Sequence, residues 1–221
     1  MSKLLTFFDG LLARLPQGRP RLPGITPNLD YSSEERTVFV LDHSGSMGDQ
    51  DYPPSRLEAG VAAIGEYVAA RLKSGAYDTM AAVIFDSMAE VICPETSLNE
   101  ATRNILGPLS RVKPDGGTDI EQGLVAADAI LEVWPDDVLK RIILLTDGHG
   151  GTPEQRSHQV KEHGIIIDVI GIGGSPADVN EWSLRQVASV ISGETRYRFI
   201  GDRHTLLNHF RKIATDLAWV R

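Results

Sequence analysis

The sequence predicts an α/β fold: a doubly wound (Rossmann-like), mostly parallel sheet with one antiparallel edge strand and helices on both faces. Three observations predict it. Apolar, β-rich runs alternate with helix-length segments of 3.6-residue periodicity, the pattern of βαβ units. Two of those runs, "TVFVLD" and "RIILLTD", end on aspartates, Asp42 and Asp147. One pair of runs, "TMAAVIFD" and "AEVIC", is separated only by "SM", which fits a hairpin at the sheet edge.

Taken in order, Leu4, Leu5, Phe8, Leu11, Leu12 and Leu15 stand at helical spacing and predict a short amphipathic helix. "PQGRPRLPGITP" cannot continue it, because proline lacks an amide donor, and it reads as an extended connection. Residues 1–36 therefore form an N-terminal extension, and 37–221 the α/β domain. "TVFVLD" is the first strand, apolar throughout as a strand covered on both faces should be. "SRLEAGVAAIGEYVAARLK" follows as a helix with Leu57, Val61, Ile64, Val68 and Leu72 on one face. After the hairpin, "LNEATRNILGPL" reads as helical with Asn99 as its cap. "DIEQGLVAADAILEVW" is a helix stopped by Pro135. "RIILLTD" is a strand, and "PEQRSHQVKEH" a helix with proline at its first turn. "IIIDVIGIG" is a strand, "PADVNEWSLRQVASV" a helix and "TRYRFI" a strand. A last helix, from about His204 to Trp219, turns Leu206, Leu207, Phe210, Ile213 and Leu217 inward.

The chain has 221 residues, a net charge of −8 and 42% hydrophobic content, enough for a real core. The acidic balance argues against nucleic acid as the main partner, since phosphate binding needs a basic footprint. Cys93 is the only cysteine, which excludes an internal disulfide and a thiolate zinc cluster and fits a reducing compartment. No apolar run is long enough to span a bilayer. Asp9 interrupts the apolar start and no small-residue cleavage pattern follows, so no secretory signal is read and the cytoplasm is the expected location.

Three polar clusters sit where strands end or helices begin: Asp42, Ser44 and Ser46 in "DHSGS", Thr118 in "GGTDI", and Asp147 in "LLTDG". Ligands in open α/β sheets bind at the carboxyl ends of the strands, so Asp42 and Asp147 should face one crevice. Every candidate donor atom is an oxygen. Carboxylates and hydroxyls as donors suit a hard divalent cation such as Mg²⁺ or Mn²⁺. Two carboxylates balance its charge, and the hydroxyls add ligands without charge. An ion held this way keeps enough electrophilicity to accept an outside carboxylate. Gly45, Gly116, Gly117 and Gly148 ease the loops toward one point. Asp49, Asp51, Asp115 and Asp119 are expected on the rim or at helix starts, where the dipole favours acids.

These residues, in this order and strand context, resemble the metal-ion-dependent adhesion site of the von Willebrand factor type A domain family. The resemblance runs from about Thr37 to Trp219. It implies a non-catalytic domain that binds a protein ligand, the partner's Asp or Glu completing the coordination of the metal. It also implies that Ser44, Ser46 and Thr118 hold the ion directly, with Asp42 and Asp147 acting directly or through water. The small, unadorned format resembles bacterial stand-alone members, which often work as adaptors beside AAA+ ATPases of the MoxR type.

Two enzymatic alternatives compete. A serine hydrolase would use Ser44 or Ser46 with His149 as base, but Gly-Xaa-Ser-Xaa-Gly is absent. A phosphatase with Asp42 as nucleophile lacks the second acid two residues on, where Ser44 stands. "GIGGSP" lacks the full dinucleotide spacing and reads as a turn. Trp134, Trp182 and Trp219 are expected to pack at element ends, His149 to lie on the rim, and Arg196 and Arg198 to form a solvated strand face.

Overall fold

The computed structural model of the chain describes residues 34–74, 77–134, 138–151 and 153–215. The amphipathic segment near the N-terminus, the Pro/Arg connection, Leu217 and Trp219 lie outside the described residues. The elements are β1 (Glu35–Asp42), α1 (Arg56–Ser74), β2 (Thr79–Phe85), β3 (Ala89–Ser97), α2 (Ile120–Leu131), β4 (Leu139–Thr146), α3 (Glu154–Glu162), β5 (Ile165–Ile172), α4 (Glu181–Val187), β6 (Val190–Ile191), β7 (Glu194–Thr195), β8 (Tyr197–Ile200) and α5 (Arg203–Thr215).

Six strands form one sheet in the order β3-β2-β1-β4-β5-β8. Only β3 runs antiparallel, paired with β2 at the edge. The doubly wound sheet predicted from the sequence is the one observed. The chain winds outward from β1 to β2 and β3, then returns to β4 on the other side of β1. The order therefore reverses between β1 and β4, and their carboxyl ends frame the crevice. Each strand feeds both faces because successive side chains point oppositely. Phe39 and Leu41 of β1 pack under α1 and α5 with Ile64 and Phe210. Val38 and Val40 pack under α2, α3 and α4 with Leu124, Val160 and Leu184. β1 is buried over its whole length, which is why it reads as unbroken apolar sequence at its centre.

Toward the amino ends of the strands lies a second buried layer, made of charges. Arg141 of β4 donates from Nε to Asp168 Oδ2 at 2.6 Å and from Nη1 to Glu35 Oε1 at 3.2 Å. Arg71 of α1 donates from Nη2 to Asp78 Oδ1 at 2.8 Å. The same two guanidinium groups reach the end of α5. Arg141 donates to the carbonyl of Ile213 and Arg71 to that of Ala214. Last-turn carbonyls have no intrahelical partner, and a cation there also meets the negative end of the dipole.

Several local expectations are corrected. On α1, Leu57, Ile64 and Val68 are buried, but Leu72 is exposed and the buried face takes in Tyr67 and Arg71 instead. The segment after β3 is no regular helix. A 3₁₀ turn (Leu98–Glu100) leads into a wide π turn (Thr102–Leu106) and one α turn (Gly107–Leu109). Ser97, not Asn99, stands at the cap position, because the chain already turns at Leu98. The helix predicted from Pro176 to Val190 breaks in two. Ser175 and Asp178 make a capping box around one turn, and Asn180 then caps α4 by accepting from the Ser183 amide. An unforeseen hairpin joins β6 to β7 through Ser192 and Gly193, both at positive φ.

Candidate functional site

Asp42 ends β1 and Asp147 follows β4, the two strands that flank the reversal, and both carboxylates are fully buried. Adjacent parallel strands lie about 4.8 Å apart, so the topology alone puts these acids beside one another. Their charges repel. Asp42 Oδ1 accepts from the Ser44 amide at 2.8 Å, and Oδ2 accepts from the Thr146 hydroxyl at 2.6 Å. Burial pushes the Asp42 carboxyl up to about 6; bonds from Ser44 and Thr146 oppose the rise, and Asp147 adds to it. No ion pair to Asp42 is found among the described residues.

The loop after β1 is a single 3₁₀ turn, Gly45–Gly48, which brings Ser44 Oγ and Ser46 Oγ within 3.3 Å of each other. Met47 is buried beneath the turn and anchors it. The loop carrying Thr118 is sewn to this one twice. Gly45 donates its amide to the Gly116 carbonyl at 3.2 Å, and Asp115 donates to the His43 carbonyl at 2.8 Å. Gly116 has φ +73°, and a Cβ there would collide with the Asp86 carboxylate, so only glycine fits. Asp119 then starts α2 by accepting from the Glu121 amide, as an acid at a helix start should. The loop after β4 closes the ring: a Cβ on Gly150 would sit 2.7 Å from the Thr118 carbonyl oxygen. The sequence-predicted residues thus occupy three loops in mutual contact. Asp42, Ser44 and Ser46 are joined by direct hydrogen bonds, while Thr118 joins through the backbone and the packing of its loop.

Two participants were missed. Thr146 crosses from β4 to hold Asp42 and also accepts from the Gly148 amide. Its signal was a hydroxyl in the last position of an otherwise apolar strand. Arg56, the first residue of α1, is buried and donates from Nη1 to Asp147 Oδ2 at 3.3 Å. Its signal was a cation in a first helical turn, where the dipole disfavours it unless acids lie close. Those acids are Asp51, bound at 2.7 Å, and Asp49, at 3.4 Å. Asp51, expected on the rim or at a helix start, is exposed beside the start of α1 and is the main counter-ion of Arg56. Tyr52 fixes the same loop, its hydroxyl bonding the backbone of Gly173 and Ile200.

Of the remaining expectations, the rim position of His149 holds, and those for Trp182 and Arg196 are corrected. His149 is on the rim, with Nε2 engaged by the Asp178 carbonyl at 2.5 Å. Trp182 is 62% exposed rather than packed, while Trp134 lies under the Arg36 guanidinium. Arg196 is not a solvated side chain; it binds Asp168 at 2.7 Å.

The donor set fits a hard divalent ion. All five side chains offer oxygen, two as carboxylates, and one carboxylate is buried without a cation of its own among the described residues. Among the described residues no three His, Cys, Asp or Glu side chains gather closely enough to hold an ion by themselves. The hydroxyls would have to contribute.

The sequence pattern of the von Willebrand factor type A domain matches residues 37–149, just over half of the chain. The chain belongs to the von Willebrand factor type A domain family. Calcium-activated chloride channel regulator 1 of Bos taurus is 32% identical over 187 residues, covering 83% of this chain. The chain spans 19% of that protein's length. The BatB structure from Bacteroides thetaiotaomicron superposes with a TM-score of 0.67 at 21% identity, over 83% of this chain and 98% of that one. A von Willebrand factor type A structure from Catenulispora acidiphila gives 0.63 at 23% identity, over 82% of this chain and 42% of that one. At these identities the structural likeness speaks for the fold. The family commonly serves in protein interaction. Among the described residues no helix is long and apolar enough to cross a membrane.

Proposed function

We propose that this chain is a divalent-metal-dependent protein-binding domain without catalytic activity. Asp42, Ser44, Ser46, Thr118 and Asp147 hold Mg²⁺ or Mn²⁺, and the partner supplies an Asp or Glu. The observation that carries this reading is Asp42: a fully buried carboxylate, set against a pair of hydroxyls and lacking an ion pair among the described residues. Burying a charge is costly unless it is paired or coordinates a metal. When bound, the ion supplies positive charge and a vertex open to an outside carboxylate. The chain's own residues do the remainder. Ser44 and Thr146 fix the rotamer of Asp42, the Gly45–Gly116 bond sets the spacing of two loops, and Gly150 props Thr118.

The hydrolase alternative gains nothing from the geometry. Ser44 and Ser46 bond each other, and His149 Nε2 is occupied by a backbone carbonyl. Nucleophilic serine chemistry needs a base within reach.

The test is a thermal-shift titration of chelated protein with Mg²⁺, Mn²⁺ and Ca²⁺. A ligand of the native state raises stability once its free concentration exceeds its dissociation constant. Mg²⁺ or Mn²⁺ should raise Tm, and Asp42→Ala should abolish the rise while the domain stays folded. Absence of any metal-dependent rise in the unaltered protein would sink the reading. The partner favoured by the sequence resemblance is a MoxR-type AAA+ ATPase in a bacterial cytoplasm, for which this domain would be the adaptor. A purified ATPase of that type should bind in Mg²⁺ and be released by EDTA.

A further inference from the structure

Arg56 occupies a place that the five-residue site does not explain. Its backbone amide bonds the Asp49 carbonyl at 3.0 Å, which fixes the start of α1 on the loop after β1. Its side chain then makes a two-pronged pair with Asp51, Nε to Oδ1 at 2.9 Å and Nη2 to Oδ2 at 2.7 Å. A guanidinium held on two prongs has a fixed plane, and its remaining donors point in fixed directions. Nη1 points at Asp147 Oδ2. The opposite oxygen, Oδ1, has only a long contact from the His149 amide at 3.5 Å. Asp147 is fully buried, so water does not screen the charge beside it.

We infer that Arg56 is a positioning residue that holds Asp147 by one oxygen, lowers the affinity of the crevice for divalent ions and leaves the loaded site more positive toward a partner's carboxylate. The inference rests on the metal reading above. Its logic is a count of charge. With Asp42 and Asp147 alone, a divalent ion is neutralised. Arg56 adds one positive charge beside Asp147, and although Asp51 and Asp49 offset it, the loaded crevice is one charge more positive with Arg56 than without it and repels an incoming acid less. The same charge repels the ion itself.

The experiment measures Mn²⁺ binding to the chelated full chain by electron paramagnetic resonance, with folding checked by circular dichroism. Arg56→Gln should bind Mn²⁺ on the order of tenfold more tightly than the unaltered protein. Arg56→Lys keeps the charge and should stay within about threefold. The double variant Arg56→Gln/Asp51→Asn should retain the gain, because the gain comes from Asp147. A gain that disappears in the double variant would place the extra ion on Asp49 and Asp51 and overturn the inference. Unchanged or weaker Mn²⁺ binding in Arg56→Gln overturns it as well, while leaving the metal site intact. Should Arg56→Gln fail to fold, Asp51→Asn decides. Freed from Asp51, Arg56 presses harder on Asp147, and Mn²⁺ should bind at least about threefold more weakly; an unchanged affinity overturns the inference. If the unaltered protein binds no Mn²⁺, both this inference and the site reading fall together.

Discussion

Toward the amino ends of the strands, Glu35, Asp78 and Asp168 are buried against Arg141, Arg71 and Arg196. At the carboxyl ends, Asp42 is buried against an amide and a hydroxyl, and Asp147 shares one guanidinium with Asp49 and Asp51. The two regions belong to one sheet and bury acids equally deeply. Their charge balance differs. At the matched end Glu35 is held below its ordinary range, because burial pushes it up and Arg141, Thr37, Arg71 and Tyr67 together outweigh that push; at Asp78 burial outweighs Arg71 and the carboxyl is raised. Asp42 has no guanidinium partner among the described residues, and burial raises it to about 6. The matched end ties α1, β1, β4, β5 and α5 together. On the function proposed above, the unmatched end is the binding end. Stability and function are therefore expected to separate along the strand direction, and substitutions at the two ends should behave differently.

The largest expected effect is at the matched end. Arg141→Met removes the cation shared by Asp168 and Glu35 and a donor to the end of α5. Leaving buried charges uncompensated costs about 3–5 kcal/mol. Urea denaturation at pH 7 measures it, and a loss under about 1 kcal/mol would break the comparison at its stable end.

Next in size is a pH effect at the same end. His209 of α5 faces Arg198, Arg141 and Arg196, with Asp168 the one acid nearby. Burial, then the arginines, push it down from its ordinary 6.5 to about 4, against the pull of Asp168. The folded state binds this proton less readily than the unfolded chain. The contribution is therefore fully present above pH 6.5 and is lost as pH falls toward 4. The shift corresponds to about 3 kcal/mol. His209→Gln should flatten the pH dependence of urea stability across that window; an unchanged slope would show that the histidine is not confined by the arginines.

How much of this contrast was legible in the sequence differs between the two ends. Asp42 and Asp147 were readable because each closes an apolar strand, and βαβ alternation puts strand ends on one edge. Ser44 and Ser46 followed from their spacing, and Thr118 from the glycines before it. Arg56 and Thr146 left only weak local signals, since the acids that tie them to the site lie 91 and 104 residues away in the chain. The matched end was missed almost entirely. Arg196 read as a solvated side chain because alternation with Tyr197 and Phe199 cannot reveal that Asp168 waits on the neighbouring strand. Leu72 was misplaced for a related reason. Arg71, paired with Asp78, takes the buried place in the last turn of α1 that the apolar stripe assigned to Leu72. The β6–β7 hairpin was passed over although Ser192-Gly193 is a turn dipeptide, because strands of two residues leave no periodicity to read.

A smaller effect is expected at the rim. Asp119 caps α2 by accepting from the Glu121 amide, and its own amide bonds the Asp86 carbonyl at 2.6 Å. Asp119→Ala keeps the backbone bond and loses the cap, a cost of about 1 kcal/mol. Thermal denaturation in EDTA should show that loss. The loop carrying Thr118 keeps its anchor through Gly45 and Gly116, so the Mn²⁺ affinity should change by no more than about threefold.

The smallest effect on stability belongs to the centre of the unmatched end. Ser44→Ala deletes a hydroxyl that contacts Ser46 Oγ at 3.3 Å and favours the charged form of Asp42, and it leaves Asp42 the bonds from the Ser44 amide and the Thr146 hydroxyl. Losing a weak hydroxyl pair that strands no other buried group changes stability by roughly 0.5 kcal/mol or less. If Ser44 is a ligand, the same variant should weaken Mn²⁺ binding by about tenfold or more, since one of few oxygen donors is gone. A residue that is nearly fully buried yet almost irrelevant to folding has to be explained by what it binds. Calorimetric titration of Mn²⁺ set beside urea denaturation makes the comparison on one protein. Equal losses in both measurements would mean that the carboxyl end is ordinary packing and that the two ends of the sheet do not differ in kind.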